Sequence, residues 1–258
     1  MENSAAPKPL SELYGEFFEA ISADTPELLR ESFRLRYQVY CVENPFENPD
    51  EQSDGLERDR FDVHSRHALL RHRSTGSIVG SARLILPRLG ARVGTLPIFE
   101  ICPEARRVLP FQSTAEFSRF AVSKQFRRRA GDHLYGEGYS ASDLLNDRRR
   151  VLPHITLGLM AKALELGRAH GIDHVCAIME PGLLRLLTRF GLHFIPVGPM
   201  VEHHGMRQPC YSPVGELLAR IKRERPEVWD VITDCGRLWG RHERLVAELS
   251  PASRLTGG

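Results

Sequence analysis

The sequence predicts an α+β or α/β protein whose front half is mostly antiparallel. Two observations carry this. Apolar side chains recur at helical spacing in residues 10–41, and short strand-like runs broken by turn residues follow in residues 67–122. After residue 153 the pattern alternates helix, strand, helix, strand, strand. At 258 residues and 41% hydrophobic content the chain fits one large globular domain, or a domain with an appendage.

Residues 1–9 read as a disordered lead. Leu10, Leu13, Phe17, Phe18 and Ile21 fall near helical spacing and predict a first amphipathic helix. Thr25-Pro26-Glu27 is a helix start, with a capping hydroxyl, proline in the first turn and an acid at the positive end. That helix should end near Tyr40 or Cys41. Residues 43–55 hold two asparagines, two prolines, Asp50, Asp54 and Gly55, so they form a loop long enough to serve as a lid or binding loop. His67–Arg71 and Ile78–Leu86 predict strands around a turn at Ser74–Ser77. Residues 87–112, with four prolines, read as irregular, and Ala115–Val122 as a third strand. Residues 123–152 form a polar insertion. Pro153 opens a helix that runs through His170 and stops at Gly171. A strand at His174–Met179, a helix from Pro181 to Gly191, strands at Leu192–Val197 and Gln208–Tyr211, and a helix at Val214–Arg223 follow. Residues 227–249 read as a last helix.

Composition narrows the function classes. The net charge of +2 makes no global demand for nucleic acid, and the arginine runs lack stacking aromatics or a known module around them. Five scattered cysteines without metal-ligand spacing read as reduced thiols. The first twenty residues carry Glu2, Lys8, Glu12 and Glu16, which argues against an ordinary signal peptide, and no apolar run approaches the ~20 residues of a membrane helix. A cytoplasmic protein that does not span the membrane is expected. His203-His204-Gly205 lacks a third ligand at close spacing, so no metal is expected. Gly136-x-Gly138 lacks the strand and helix of a dinucleotide loop.

The informative residues are charges set in apolar runs: Arg36, Glu57, Asp59, Asp62, Arg83, Glu116 and Arg119. Facing inward, such charges must be paired or cost roughly several kcal/mol each. Three arginines and four carboxylates can pair among themselves, or can bind something small and zwitterionic. They stand in four motifs, RYxVY (Arg36–Tyr40), ExDxFD (Glu57–Asp62), GxARL (Gly80–Leu84) and ExSRFAV (Glu116–Val122). This ordered set resembles the acyl-homoserine-lactone synthases and the related N-acyl amino acid synthases, within the Gcn5-related N-acetyltransferase (GNAT) fold. The sequence looks most similar to the acyltransferases associated with the PEP-CTERM/exosortase system, and Pro196–Pro209 resembles a segment of those. The resemblance covers about residues 28–215. It implies an α+β sandwich, a mixed, mostly antiparallel central sheet with helices on both faces. It also implies a single acyltransferase domain over residues 10–223, followed by a C-terminal helical extension and tail over 224–258.

The resemblance implies attack of an amine on an acyl thioester. Glu116 is then the candidate base, with salt-bridge pairing to Arg83 or Arg36 as its alternative role. Arg83, Asp59 and Asp62 complete the catalytic set, and Arg36, Tyr40, Phe46, Glu57, Ser118 and Arg119 the substrate-binding set; a purely structural ion-pair network is the alternative for the charged members. Asp59 and Asp62, three apart, share a side only in a helical turn. The lactone synthases carry a tryptophan before the acidic motif; here residues 41–56 have only Phe46 as an aromatic, a departure that speaks against a lactone-forming substrate. The donor would be an acyl-phosphopantetheine used as co-substrate, with no tightly bound cofactor. SKQFRRRAG after Val122 departs from the pyrophosphate loop of the fold, which favours acyl carrier protein over coenzyme A. Arg127, Arg128, Arg129, Arg148, Arg149 and Arg150 could dock an acidic carrier protein or simply be a solvated face. Three readings stay open: an N-acyltransferase acting on an amino acid or similar small amine, a lactone synthase using S-adenosylmethionine, and a non-catalytic carrier-binding module. Leu134, Tyr135, Leu157–Leu164 and Leu183–Phe190 could line an acyl tunnel or be plain core.

Overall fold

The computed structural model describes residues 8–44, 46–88, 96–124 and 154–239. Among these, eight strands join in one sheet: β1 (Phe18–Ser22), β2 (Ser65–His72), β3 (Ile78–Ile85), β4 (Thr114–Val122), β5 (His174–Met179), β6 (Ile195–Pro196), β7 (Val201–Glu202) and β8 (Met206–Pro213). The order is β1-β2-β3-β4-β5-β8-β6, and β7 also pairs with β8. The β4–β5 pair is parallel; the other pairings are antiparallel. This is the mixed α+β sheet expected.

Helices cover both faces. Neighbouring strand residues point to opposite sides, and Gly80 and Ser81 of β3 show where each side leads. A Cβ on Gly80 would meet Leu159 of the Ile155–Ala169 helix at 3.0 Å, so glycine here permits close approach of helix to sheet. Ser81 Oγ lies 2.8 Å from Ser32 Oγ on the Pro26–Tyr37 helix of the other face. The first face holds the main core, including Leu70, Leu84, Leu157, Leu159, Val175 and Ile221. The second holds a smaller apolar cluster around Ile85, Ile98, Phe99 and Cys176, and beside it the charged site.

Several elements differ from the sequence reading. The first helix stops at Phe17, and Phe18–Ser22 become β1, paired with His72–Ala68 of β2. Phe18 and Ile21 fit a helical period, but pairing of the free edge of β2 decides the local conformation. The Pro26–Tyr37 helix is capped by the Thr25 hydroxyl, which accepts from Leu28 N–H, and it continues as a π-helical turn over Gln38–Glu43. The 87–112 stretch holds short helices at Pro97–Ile101 and Ala105–Val108. The Leu192–Val197 strand shrinks to two residues, while β8 extends to eight and gains β7 as a neighbour. Residues 240–249 of the expected last helix lie outside the described residues; among these the last helix is Pro226–Thr233. It ends where Asp234 and Cys235 turn left-handed, at φ 54° and 53°, so residues 234–239 are not helical. Val228 and Ile232 on it are fully buried in the main core. No helix among the described residues is long and apolar enough to cross a membrane.

Candidate active site

The site forms where β4 changes partners. The parallel β4–β5 register ends at Phe117–Ala177. On the other edge, Ser81 faces Ala121 and Arg83 faces Ser118, so Arg119 and Phe120 together stand opposite Ala82. This is a β-bulge, with Arg119 at φ 45°, a conformation uncommon for a side-chain-bearing residue and held here by its surroundings. Tyr40 Oη donates to the carbonyl of Phe120 at 3.0 Å, and the Arg119 guanidinium sits 5.5 Å from the centre of the Tyr40 ring. Beyond Phe117, the edge of β4 faces a cavity of about 110 Å³, walled by Ala177, Met179, Met160, Leu183 and Leu187. Of the helices considered for an acyl tunnel, Met160, Leu183 and Leu187 reach this cavity, whereas Leu157, Leu159 and Leu164 are core. Leu134 and Tyr135 lie outside the described residues.

A second cavity, of about 180 Å³, shares Tyr40, Phe117, Ser118, Arg119, Ile178 and Arg207 with the first. Its floor carries Asp59, Arg83 and Glu116. The charged residues from four segments therefore do converge. Arg36, wholly buried, donates from Nε to Glu57 and from Nη1 and Nη2 to Asp62 at 2.6 and 3.1 Å, a bidentate grip. Arg83, 1% exposed, reaches Asp59 at 2.5 Å, Asp62 at 3.0 Å and the Ser118 hydroxyl at 2.9 Å. Arg119 pairs with Glu57 at 3.0 Å and Glu47 at 2.8 Å, with Asp59 at 3.3 Å. Asp59 and Asp62 face one way because a tight turn joins them. Asp62 N–H donates to the Asp59 carbonyl, and Asp59 N–H to the Asp62 carboxylate.

Burial works to raise the pKa of Glu57, Asp59 and Asp62, but the arginines outweigh it and hold all three below the ordinary carboxylate range. Burial works the other way on Arg36, where Asp62 and Glu57 prevail and raise it. His67, buried among these groups, is kept neutral by burial and by Arg36, its pKa driven down to about 3. Its Nδ1 lies 3.2 Å from Ser32 Oγ.

Glu116 behaves differently. It is 2% exposed and makes no ion pair with Arg83 or Arg36; one oxygen accepts the Ile98 N–H at 2.8 Å. Burial, opposed by that N–H and by Arg83, lifts its pKa to about 8. The salt-bridge role expected as the alternative for Glu116 is thus not what the geometry provides.

Tyr40, Phe46, Ser118 and Arg119 line the larger cavity, while Arg36, Glu57 and Asp62 stand behind it as support. Arg127–Arg129 and Arg148–Arg150 lie outside the described residues. The sequence reading gave no role to Glu47, Phe61, His203, His204 or Arg207, all of which also line the cavity. The one sequence signal for the last three was the Pro196–Pro209 resemblance. Among the described residues no group of three or more His, Cys, Asp or Glu is placed to hold an ion.

Comparison with known proteins agrees with this architecture. Residues 35–136 match the model of the acetyltransferase (GNAT) domain. No curated protein matches the chain in sequence. A solved structure of TofI, in a ternary complex with an inhibitor and MTA, is 20% identical over 79% of this chain and 96% of that one, with a TM-score of 0.56. BjaI, a CoA-dependent acyl-homoserine lactone synthase solved with SAM and isopentyl-CoA, is 24% identical over 86% and 89%, with a TM-score of 0.53. FeeM, an N-acyl amino acid synthase from uncultured soil microbes, is 16% identical over 79% and 93%, with a TM-score of 0.47. The chain therefore has the GNAT fold, and residues 35–136 match the model of that domain.

Proposed function

We propose that the protein is an N-acyltransferase that moves a medium or long acyl chain from the phosphopantetheine thioester of acyl carrier protein to the amine of an amino acid or similar small acceptor. One observation carries this reading: Glu116, a buried carboxyl without a salt bridge, shares a cavity with Asp59, Arg83 and Arg119, and that cavity adjoins the opening between β4 and β5. The thioester would lie along the freed edge of β4, its acyl chain toward Met160, Leu183 and Leu187. The acceptor would enter the larger cavity.

The acceptor's ammonium must lose a proton before it can attack. A carboxyl whose pKa is lifted to about 8 is a far better acceptor for that proton than an ordinary glutamate, at ~4.3. The amine nitrogen attacks the thioester carbon from about 3–3.5 Å. The carbonyl oxygen becomes an oxyanion, for which backbone N–H groups of the bulged strand are suitable donors. The carbon–sulfur bond then breaks, leaving amide and thiol; of the two protons the ammonium loses, the first would pass through Glu116 to solvent and the second would end on the sulfur. Arg36, Arg83, Glu57 and Asp62 hold the floor rigid. Preference for a carrier protein, and membership of the exosortase-associated branch, rest on the sequence motifs.

Incubation of the protein with acyl carrier thioesters and a pool of amino acids, followed by mass spectrometry, tests the reading. Acyl amide together with free thiol is expected. A lactone formed from S-adenosylmethionine would replace it with a lactone synthase. No thiol release with any amine would leave a non-catalytic carrier-binding module.

A further inference from the structure

Each buried arginine at the site already has an acid. Arg36, Arg83 and Arg119 share Glu47, Glu57, Asp59 and Asp62 as ion-pair partners. Arg207 differs. It lines both cavities and is half-buried, yet among the described residues no carboxylate lies within ion-pair distance of it. Backbone and a ring hold it instead. Nε donates to the His203 carbonyl at 2.7 Å and Nη2 to the His204 carbonyl at 3.2 Å, and the guanidinium stands 5.7 Å from the centre of the Phe46 ring. No hydrogen bond among the described residues engages Nη1. The tight turn at His204 and Gly205, φ 53° and 93°, turns the two carbonyls onto the side chain. A planar cation fixed in this way, facing a cavity without its own counter-anion, is preorganised for a carboxylate.

We infer that Arg207 is the residue that reads the acceptor's carboxylate. This rests on the acyltransferase reading and narrows its substrate class to α-amino acids or similar amines with a nearby carboxylate. The acceptor would lie with its carboxylate at Arg207 and its amine toward Glu116 and the accessible acids Asp59 and Glu47. Arg36 and Arg83 are each already paired with carboxylates and serve as support.

The test compares each standard amino acid with its decarboxylated amine, by thermal melting of the full chain and by thiol release from acyl carrier thioester. Wild-type protein should be stabilised by at least one amino acid and not by the matching amine. Arg207→Gln should erase that difference and raise the acceptor KM at least ~10-fold with little change in kcat; Arg207→Lys should recover part of it. Equal stabilisation by acid and amine, an unchanged preference in Arg207→Gln, or no stabilisation by any amino acid would overturn the role of Arg207. Thiol release with the decarboxylated amines reports transfer itself. A protein that transfers without discriminating loses only this inference, and one that never releases thiol loses the proposed function as well.

Discussion

Glu116 and the acids Glu57, Asp59 and Asp62 all lie in or behind one cavity wall, yet they hold opposite charge states. The three acids each meet at least one arginine and stay ionised. Glu116, closed in by Phe117, Pro97 and Ile178 and bonded to a single backbone N–H, prefers its proton up to about pH 8. Depth alone does not separate them, since Glu57, at 1% exposed, is as buried as Glu116 at 2% and still stays ionised. Partners do. A guanidinium within hydrogen-bond reach repays the desolvation of a carboxylate, and a lone N–H does not. The same wall thus supplies a rigid charged floor and, one strand position away, a carboxyl poised to exchange a proton.

The sharpest way to break this contrast is to remove a partner from the paired side. Arg83→Ala takes from Asp59 its nearest cation and leaves Asp62 with Arg36 alone, and should cost roughly 3–5 kcal/mol of stability, read as a lowered denaturation midpoint; a melt equal to wild type would end the distinction. Glu116→Gln is the counterpart. It keeps an oxygen for the Ile98 N–H, so the fold should survive at neutral pH while the transfer rate falls about 10²–10⁴-fold. A variant that loses fold and activity together would mean that Glu116 is a structural acid.

Stability against pH gives a smaller but signed effect. Glu57, Asp59 and Asp62 have depressed folded values, so their contribution is complete above the ordinary carboxylate range and is lost as pH falls through those lowered values. Glu116 acts in the reverse sense. Its folded value is raised, so from its ordinary value near 4.5 up to about 8 the unfolded chain gives up the proton first and stability declines. Glu116→Gln should therefore match wild type near pH 4.5 and exceed it at pH 8, by on the order of 2–4 kcal/mol. Parallel stability curves for the two proteins would count against the raised value. Tyr40→Phe, which removes the bond to the Phe120 carbonyl and keeps the ring on Arg119, should cost only about 0.5–1.5 kcal/mol; calorimetry would register anything larger as evidence that the bulge hangs on this hydroxyl.

Much of the frame was legible. Thr25-Pro26-Glu27 marked a helix start because capping and proline chemistry are local. Gly171 and Gly191, at φ 70° and 78°, marked helix ends for the same reason. Ile78–Leu86 and Ala115–Val122 read as strands from their own residues, and the structure has them at Ile78–Ile85 and Thr114–Val122. The misses have a common cause. Phe18 and Ile21 suit a helix as well as a strand, and β2, some fifty residues away, settled the matter. At the site, motif order brought Arg36, Asp59, Asp62, Arg83 and Glu116 together on paper. Glu47 stood in no chemical pattern, and His203 and Arg207 had only the Pro196–Pro209 resemblance; their place at the cavity became visible only in the folded chain.

The sequence by itself determined the α+β order, the helix caps and turns, and which ionisable groups had to be satisfied inside, because each depends on near neighbours or on the cost of burying charge. Only the tertiary structure decided which acids keep their protons and which cation faces the cavity without a carboxylate. Those depend on distances of a few ångströms between segments far apart in the chain, where a 3 Å contact with a guanidinium reverses the effect of burial.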